Sequence, residues 1–429
     1  MKTLIVGSGG REHALAWALS KDQNVKEIYA APGNPGIAEI ATCVPIDSSN
    51  IDELASFASK RAIDLTVVGP EAPLGAGIVD RFRKQNLSIF GPDKRAARIE
   101  TSKSFAKDLC TRYGLPTPRW ETFTDKTRAS KFLDEVGPPW VIKADGLAAG
   151  KGTTVTRNRR EAETTIQREL EREPKRIVME EFIDGWEASF TATVSADRVQ
   201  WLAPVFQDYK PAFDGDSGPN TGGMGVFTPV PSVTQSLADR VRKKILDPAT
   251  AAMAKEGAPF QGVLYLNIIV KHGTEEPFVL EFNARFGDPE AQGIMPLVKR
   301  GLFAHLSGVA ANSDRPPLPD SSHSASVVIV LASRGYPENP MTGDPITLRP
   351  VSNRNIVVFH AGTARDPNGQ LVTSGGRVLN VAATGPSVES ARRDAYSVIG
   401  KSIQFPGMHS RSDIGSGRIR HRQLEPIKT

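Results

Sequence analysis

The chain has 429 residues, of which 39% are hydrophobic and 24% are charged, so roughly two to four globular domains are expected. Its two cysteines, Cys43 and Cys110, are too few for a disulfide scaffold and favour a reducing compartment, which we expect to be the cytoplasm. The net charge of +5 is compatible with a nucleic acid or an anionic small molecule as the binding partner. No apolar run reaches the roughly 20 residues of a membrane span, which excludes a membrane protein.

Residues 1–100 predict an α/β domain in which helices cover both faces of a doubly wound parallel sheet. Turns rich in glycine and proline follow the strands, and loops at that edge of such a sheet form the ligand crevice. Apolar strands alternate with helical patterns at Thr3–Val6, Arg11–Ser20, Glu27–Ala31, Ile51–Lys60, Leu65–Val68, Gly77–Lys84 and Leu87–Phe90.

Residues 101–326 predict a larger α+β domain that contains a small, charge-rich lobe at 115–190. Its first helix is expected at Thr101–Tyr113, with Thr101 or Ser102 as the N-cap. The strands of the lobe are expected at Val141–Ala144 and Ile177–Glu180.

The last part of the chain predicts a smaller, strand-rich domain at 327–429. The stretch Arg315–Ser326 is rich in proline and serine and is typical of a linker. Strands are expected at Ser326–Ala332, Asn355–Phe359 and Arg377–Ala382.

The segment Gly7–His13, with the sequence GSGGREH, places glycines between the first strand and the first helix. Glycines there let the backbone approach an anion, and the helix N-terminus supplies N–H donors. A dinucleotide fingerprint would need glycine at position 12, where Glu12 stands, so that interpretation is weakened. Phosphate binding is favoured, with a structural turn as the alternative.

The segment Val141–Gly152 joins a strand to a glycine-rich stretch that is bounded by Lys143 and Lys151. It is not a Walker loop, because Asp145 replaces a required glycine and Gly152 follows the second lysine. Such a segment can fold over a polyphosphate with backbone N–H donors and two ammonium charges. A solvated surface turn is the alternative.

The segment Ile177–Glu187 runs from a strand into a turn, with carboxylates at Glu180, Glu181 and Glu187. Backbone groups after the strand could bind the edge of a purine, and Glu187 could accept hydrogen bonds from ribose hydroxyls. The alternative is a strand end whose charges are simply solvated.

The strand that begins at Val279 has a period of two that puts Glu281, Asn283 and Arg285 on one face. A carboxylate and an amide oxygen suit Mg²⁺, which shares its other coordination positions with phosphate and water. Arg285 could clamp a transferring phosphoryl group. A structural salt bridge between Glu281 and Arg285 is the alternative.

Taken together, these segments resemble the ATP-grasp superfamily and, within it, the phosphoribosylamine–glycine ligase family. The resemblance covers nearly the whole chain and implies an ATP-grasp fold, with a doubly wound N-terminal domain and a small strand-rich C-terminal domain. It is carried by GSGGREHALAW at 7–17, APGNPG at 31–36, VVGPEAPL at 67–74, IFGP at 89–92, SKSFAKD at 102–108, VIKADGLAAGKG at 141–152, EEFIDGWEASF at 180–190, GPNTGGMG at 218–225, LEFNARFGDPE at 280–290, VFHAGT at 358–363 and GGRVLNV at 375–381.

The resemblance implies a ligase of purine biosynthesis. ATP would phosphorylate the carboxylate of glycine, and the amine of 5-phosphoribosylamine would displace phosphate to give glycinamide ribonucleotide. The implied cofactors are ATP and Mg²⁺ or Mn²⁺. The implied partners are these small molecules, without nucleic acid or membrane, and a monomer is expected.

The resemblance also implies roles for individual residues. Arg285 and Lys151 would be catalytic, and Glu281 and Asn283 would bind the metal. ATP binding is implied for Lys103, Lys143, Gly146, Gly150, Lys151, Gly152, Glu180, Glu181, Phe182, Ile183 and Glu187. The pocket for phosphoribosylamine and glycine is implied for Gly9, Gly10, Arg11, Asn220, Gly222, Gly223, Met224 and Asp288.

Three features depart from the usual pattern of the family. Residues 165–176 form a shorter segment, Tyr209 replaces a histidine, and Asn267 stands where many ATP-grasp enzymes have an acidic third metal ligand. Two other hypotheses stay open: an ATP-grasp ligase for another acid or amine, and a nucleotide- or RNA-binding protein without catalysis. The second needs aromatic residues within a basic patch, and the basic tail at 411–422 has none.

Overall fold

The computed structural model describes residues 1–147 and 152–416, and the first hundred residues contain a five-stranded parallel sheet. Leu4 and Val6 of its central strand face one apolar cluster and Ile5 faces another, so both sides of the sheet are covered, as predicted. In spatial order the strands are Thr42–Cys43, Glu27–Pro32, Lys2–Gly7, Leu65–Val68 and Ile89–Phe90. The helices are Gly10–Ser20, Ile51–Arg61, Glu71–Ala76, Ile78–Arg83 and Arg98–Thr101, with a 3₁₀ turn at Ile37–Glu39.

The small lobe is an antiparallel four-stranded sheet with two helices packed on one of its faces. Asp125 and Asn158 cap these helices, because each side chain accepts a hydrogen bond from the backbone N–H three residues later. In spatial order the strands are Trp120–Phe123, Ile177–Glu181, Trp140–Ala144 and Thr153–Thr156, and the helices are Lys126–Val136 and Arg159–Leu170.

A second antiparallel four-stranded sheet forms the centre of the molecule and packs on several helices. Ser102 caps the first of these helices through a hydrogen bond from the Phe105 N–H, which confirms one of the two predicted caps. Cys110 of that helix is fully buried, as its apolar neighbours indicate. In spatial order the strands are Arg198–Leu202, Gly185–Ser195, Gly262–Lys271 and Pro277–Asn283. The helices are Lys103–Tyr113, Gln235–Val241, the π-helical turn Arg242–Leu246 and Asp247–Lys255.

The C-terminal sheet is antiparallel and crosses the predicted boundary at residue 326, because two of its five strands come from earlier in the chain. Helix Val388–Val398 packs against it. In spatial order the strands are Gln207–Asp208, Gly225–Thr228, Ala325–Ala332, Arg377–Gly385 and Ile356–His360. The boundary itself stays a prediction, although the shared sheet joins the two regions physically.

The remaining elements are short connections between these sheets. Part of the predicted linker forms a strand, since Asp320–Ser321 pairs with Val298–Arg300. The other short strands pair as Pro211–Phe213 with Ser217–Asn220, Thr347–Leu348 with Ile403–Gln404, and Thr363–Arg365 with Leu371–Thr373. The other helical elements are Asp214–Asp216, Glu290–Ile294, Met295–Leu297 and Leu302–Ala310. Across the described ranges, every helix is too short or too polar to cross a bilayer.

Candidate active site

A cavity of about 960 Å³ opens where the small lobe, the central sheet and the C-terminal sheet meet. Most of the residues for which the sequence predicts a role line it: Arg11, Lys103, Lys143, Gly146, Gly152, Glu180, Glu187, Asn220, Gly222, Glu281, Asn283, Arg285 and Asp288. The predicted residues outside its lining are Gly9, Gly10, Glu181, Phe182, Ile183, Gly223 and Met224. Gly150 and Lys151 lie outside the described residues.

The two ends of the glycine-rich segment are fixed to the cavity wall. The Ala144 N–H donates to the carbonyl of Gly152 at 2.8 Å, which continues the pairing of the flanking strands. The Lys103 ammonium donates to the carbonyl of Gly146 at 2.9 Å. Gly146 has a φ of 102°, a conformation that glycine adopts without strain. A lysine from a helix therefore meets the start of the predicted phosphate-binding segment.

Lys107, Lys143 and Glu180 form a cluster that we call the buried cluster. The Glu180 carboxylate lies 2.7 Å from the Lys143 ammonium and 3.1 Å from that of Lys107, and no side chain of the three is more than 5% exposed. Burial would raise the pKa of Glu180, but the two ammonium charges outweigh burial and hold this pKa below its ordinary value. Glu180 is therefore an ionised carboxylate neutralised by two lysines.

Sequence reasoning missed Lys107. Burial lowers its pKa to about 8, against the opposing charge of Glu180. Its helix position is four residues after Lys103, so the two lysines lie on the same side of one helix. That spacing within SKSFAKD is the signal that could have identified it.

The predicted adenine segment joins the sheet of the lobe to a small apolar wall. Both the N–H and a carboxylate oxygen of Glu181 bond to the backbone of Arg119, at 2.9 Å and 3.0 Å. Ile183 packs with Ile269 and Leu280 in a separate apolar cluster, and Leu280 lines the cavity. A flat apolar ligand could contact this wall.

Glu187, Lys210 and Glu281 form a second cluster, which we call the open cluster. The Lys210 ammonium lies 3.4 Å from Glu187 and 3.7 Å from Glu281, and the three side chains are 24–34% exposed. Burial would raise the pKa of Glu281, but Lys210 and the lysines of the nucleotide side lower it to about 2. Glu281 thus presents an ionised carboxylate to the cavity at neutral pH.

Asn283 shares the cavity-facing side of the same strand with Glu281, as the period of two predicts. One carboxylate and one amide oxygen fit the donor set of a divalent cation that takes its other ligands from phosphate and water. Among the described residues, no three or more His, Cys, Asp or Glu side chains are grouped so that they could hold a metal by themselves. A metal here would therefore take its further ligands from phosphate and water.

Asn267 stands opposite Glu281 on the neighbouring strand. Its amide is best satisfied with the nitrogen donating to the carbonyl of Ala188 at 3.2 Å and the oxygen facing Lys210. The oxygen that a third metal ligand would supply is therefore already used by an ammonium.

Arg285 pairs with acids that sequence reasoning did not identify. Its guanidinium lies 3.0 Å from Glu100 and 3.2 Å from Glu71, and these charges keep its pKa above the ordinary value despite burial. Within the described ranges, its ion pairs are with these two residues and not with Glu281, so the alternative salt bridge is not formed. Glu71 lies in the segment VVGPEAPL, which was one of the recognised motifs.

The glycines after the first strand contact the protein itself. The Gly9 N–H donates to the Glu12 carboxylate at 2.5 Å, so a carboxylate of the chain occupies the start of this helix. A Cβ atom on Gly10 would lie 2.5 Å from the Asn380 amide nitrogen, so only glycine fits there without a shift. The predicted substrate role of Gly9 and Gly10 stays a prediction beside this packing role.

Arg377 brings the C-terminal sheet into the cavity, and sequence reasoning missed it. Its guanidinium donates to the carbonyls of Gly222 and Asp288 at 2.6 Å and 2.8 Å and lies 3.2 Å from the Asp288 carboxylate. The positive charge of Arg377 outweighs burial and lowers the pKa of Asp288. Arg377 thus ties two predicted substrate segments together.

A pair of acids, Asp208 and Glu290, lines the same part of the cavity and was not predicted. Burial and the charge of Glu290 raise the pKa of Asp208 to about 8, and burial also raises the pKa of Glu290. The Tyr265 hydroxyl donates to Glu290 at 2.9 Å. The pair therefore retains a proton at neutral pH.

The chain matches three family models in succession. The N domain of phosphoribosylglycinamide synthetase matches residues 1–100, its ATP-grasp (A) domain matches 101–291, and its C domain matches 326–417. The biotin carboxylase domain of 2-oxoglutarate carboxylase from Hydrogenobacter thermophilus, solved with MgADP and bicarbonate, is 14% identical with a TM-score of 0.74. The match covers 97% of this chain and 95% of the biotin carboxylase chain. At this identity, the likeness concerns the fold alone.

Two proteins with the same name resemble the chain over nearly its full length. The phosphoribosylamine–glycine ligase of Xylella fastidiosa is 44% identical over 431 residues, which cover 97% of each chain. The crystal structure of phosphoribosylamine–glycine ligase from Thermotoga maritima is 34% identical with a TM-score of 0.82, covering 96% of this chain and 100% of that one. The resemblance predicted from the motifs is therefore confirmed, and the chain belongs to the phosphoribosylamine–glycine ligase family of ATP-grasp enzymes.

Proposed function

We propose that the chain ligates glycine to 5-phosphoribosylamine through glycyl phosphate and yields glycinamide ribonucleotide, ADP and phosphate. ATP-grasp enzymes use ATP and a divalent metal, and this function needs cations for a triphosphate beside oxygens for that metal. One observation carries the proposal: a single cavity gathers Lys103 and Lys143 with Glu281 and Asn283. We also propose that the enzyme acts in the cytoplasm, as a monomer, and that it does not bind nucleic acid.

In this proposal Glu281 and Asn283 hold Mg²⁺ or Mn²⁺. The bound metal supplies charge neutralisation and orientation of the phosphates during transfer. The low pKa of Glu281, about 2, supports the assignment because the ligand is ionised at every physiological pH. The preference of Mg²⁺ for oxygen donors and phosphate fits this pair.

The first step is phosphoryl transfer to the glycine carboxylate. A carboxylate oxygen forms a bond to the γ-phosphorus while the bond to the leaving oxygen of ADP breaks. Lys103 and Lys143 would neutralise the phosphates, and Arg285 would stabilise the acyl phosphate. The enzyme's contribution is mainly positioning and charge stabilisation, as in phosphoryl transfer generally.

The second step joins the amine to the activated acid. The amine nitrogen of phosphoribosylamine attacks the carbonyl carbon and loses a proton, and the carbon–oxygen bond breaks to release phosphate. Glycyl phosphate would hydrolyse in water, so exclusion of solvent is a requirement of the mechanism. We assign Lys151, with Gly146, Gly150 and Gly152, to the segment that covers the phosphates.

The proposed nucleotide residues also include Glu180, Glu181, Phe182, Ile183 and Glu187. The apolar wall formed by Ile183, Ile269 and Leu280 supports a planar base beside the lobe. Because both lysines pair with Oε1 of Glu180, we expect this residue to bind the base through Oε2. The substrate pocket is proposed at Gly9, Gly10, Arg11, Asn220, Gly222, Gly223, Met224 and Asp288.

The proposed domains are 1–100, 101–326 with a lobe at 115–190, and 327–429. The strands Gln207–Asp208 and Gly225–Thr228 join the C-terminal sheet, which favours a substrate pocket built jointly by the second and third domains.

The test is release of phosphate with 5-phosphoribosylamine generated in the assay, in the presence and absence of glycine. We expect ADP, phosphate and glycinamide ribonucleotide in equal amounts, and only when ATP, a divalent metal and both substrates are present. Equal turnover with other amino acids, or RNA affinity without ATP turnover, would contradict the proposal. Omission of the metal is the control for the Glu281 and Asn283 assignment.

A further inference from the structure

The hairpin that carries Lys210 is fixed from outside the cavity by the segment His409–Gly415, which we call the strap. The hairpin comprises residues 211–220, and Lys210 directly precedes it. Asp216, Asn220 and other hairpin residues line the cavity, whereas the strap does not. The strap therefore contacts the cavity wall from its rear side.

Arg411 is the centre of this contact. It is fully buried, yet it carries a charge, and its guanidinium donates to the carbonyl of Pro211 at 2.9 Å and to Asp216 at 3.1 Å. Asp413 of the strap also pairs with Arg411 and accepts a hydrogen bond from the Gly215 N–H at 3.0 Å. A buried charge of this kind is tolerated only with such partners, so the contact is specific in geometry.

Further polar bonds repeat this connection along the strap. The His409 ring bonds to the carbonyl of Ala212 at 2.7 Å, and the Ser412 N–H and hydroxyl both donate to Asp214. Each of these partners lies at the turn or the first strand of the hairpin.

Tyr209, which replaces the family's usual histidine, extends the contact to the residue before Lys210. Its hydroxyl accepts a hydrogen bond from the Gly415 N–H at 2.8 Å, and the Arg411 guanidinium lies 5.1 Å from its ring centre. On the other side, the carbonyl of Lys210 accepts two bonds from Thr221, at 2.7 Å and 2.8 Å. The side chain before Lys210 and the carbonyl of Lys210 itself are thereby held.

The strap itself is anchored to the C-terminal domain. His409 pairs with Ala332 through two backbone hydrogen bonds, at 2.8 Å and 2.9 Å. From helix Val388–Val398, the Tyr396 hydroxyl donates to the carbonyl of Arg411 at 2.7 Å, and Arg392 donates to carbonyls of the strap. A continuous series of contacts thus runs from this helix to Lys210.

We propose that the strap positions Lys210, with Arg411 and Tyr209 as positioning residues that keep its ammonium between Glu187 and Glu281. The inference rests on the proposed function, because it assigns the open cluster to the ligation. Through Arg411, the C-terminal domain then influences the reaction, although Arg411 itself lies outside the cavity lining and does not contact a substrate. Misplacement of one group by about 1 Å can cost on the order of 100-fold in rate, which makes such support functionally important.

The experiment compares Arg411→Met, Arg411→Lys and Tyr209→Phe with the matched control Arg393→Met. Arg393 is 72% exposed, belongs to the same domain, and lies 3.9 Å from Asp394. We expect Arg411→Met to lower kcat/KM for glycine by about ten-fold or more, with ADP affinity changed by less than about three-fold. Arg411→Lys should recover part of the loss, and the control should match the wild type.

Two further readouts separate positioning from a general loss of structure. Hydrogen exchange of the amides at 211–220 should accelerate in Arg411→Met and not in Arg393→Met. In the Lys210→Met background, Arg411→Met should cost little further activity, because the group on which it acts is absent. Equal and independent losses in the two backgrounds would overturn the proposal.

Tyr209→Phe removes only a hydroxyl, so it tests the proposal if Arg411→Met does not fold. We expect faster exchange at the hairpin and a smaller loss of kcat/KM in the same direction. Wild-type hairpin exchange and activity in Tyr209→Phe and in Arg411→Lys would overturn the inference. A wild-type enzyme that fails to ligate glycine would instead contradict the proposed function, and the exchange data would still report on the strap.

Discussion

The two lysine–carboxylate clusters of the cavity differ in their access to solvent. In the buried cluster, Glu180 has both lysines within 3.1 Å and the side chains are at most 5% exposed. In the open cluster, the Lys210 ammonium lies 3.4 Å and 3.7 Å from its partners, and the side chains are 24–34% exposed. The same residue types are therefore fully buried on one side of the cavity and partly exposed on the other.

This difference indicates which charged groups of the cavity stabilise the fold and which are available to bind a ligand. A buried charge that loses its partner is strongly destabilising, so the two lysines of the buried cluster depend on the Glu180 carboxylate. A partly exposed pair at longer distance contributes less to stability and can exchange its partner for a ligand. We therefore expect substitutions in the buried cluster to affect folding and substitutions in the open cluster to affect turnover.

The largest expected effect is on turnover, from Glu281→Gln in the open cluster. The neutral amide cannot supply the charge that holds the metal, so we expect a loss on the order of 1,000-fold, or about 4 kcal/mol of transition-state stabilisation. The variant should still fold. Rates measured across Mg²⁺ concentrations test this, with the exposed Glu276→Gln as control, and unchanged activity at limiting Mg²⁺ would refute the ligand assignment.

The next effect is on stability, from Glu180→Gln in the buried cluster. Two ammonium groups would then lack a buried counter-charge, so the free energy of unfolding should fall by about 3–5 kcal/mol. Chemical denaturation measures it. Glu187→Gln, in the open cluster, is the matched comparison and should cost less than about 1 kcal/mol. Similar losses in both variants would remove the distinction between the clusters.

A pH effect sharpens the comparison through Asp208. Its pKa is raised to about 8, first by burial and then by the charge of Glu290, whereas an aspartate in an unfolded chain titrates near roughly 4. The folded state therefore binds the proton more tightly, and this stabilisation, complete below pH of about 4, is lost as the pH rises through about 8.

Asp208→Asn should consequently flatten the dependence of stability on pH. Thermal unfolding is followed between about pH 6 and pH 9, a range that spans the raised pKa. As the pH rises, the unfolding temperature should decrease less for the variant than for the wild type. The exposed Asp184→Asn serves as control and should follow the wild type. Parallel curves for wild type and Asp208→Asn would show that Asp208 does not titrate in this range.

The smallest expected effect is from Asn267→Ala. Because the amide of Asn267 is satisfied by Lys210 and the Ala188 carbonyl, we expect the Mg²⁺ concentration for half-maximal rate to change by less than about three-fold. A loss that approaches that of Glu281→Gln would instead make Asn267 a third metal ligand. The comparison uses the same Mg²⁺ titration.

The predictions made from sequence hold best where the chemistry lies within one segment. Glu281 and Asn283 are two residues apart on one strand, so the alternation of side chains alone places both on the cavity face. Lys143 and Gly146 are likewise close to each other in the chain. The buried position of Cys110 followed from its apolar helical neighbours.

The partners of these residues were harder to foresee. Arg285 binds Glu71 and Glu100, which are 214 and 185 positions away in the sequence, and no local pattern links them. Arg377 and Glu290 reach the same cavity from separate elements. The Gly9 N–H donates to Glu12, and Gly10 lies so close to Asn380 that a Cβ atom would clash, while their expected place beside a phosphate stays a prediction.

The sequence by itself determined most strands and helices of the first domain, the family and the order of the chemical groups along the chain, because side-chain periodicity and short motifs act over a few neighbouring residues. Only the tertiary structure decided which lysine pairs with which carboxylate, how exposed each cluster is, and that Arg411 contacts the Lys210 hairpin from outside the cavity. The physical reason is that burial and ion pairing depend on distances through space, and folding brings distant segments together only once the sheets have packed.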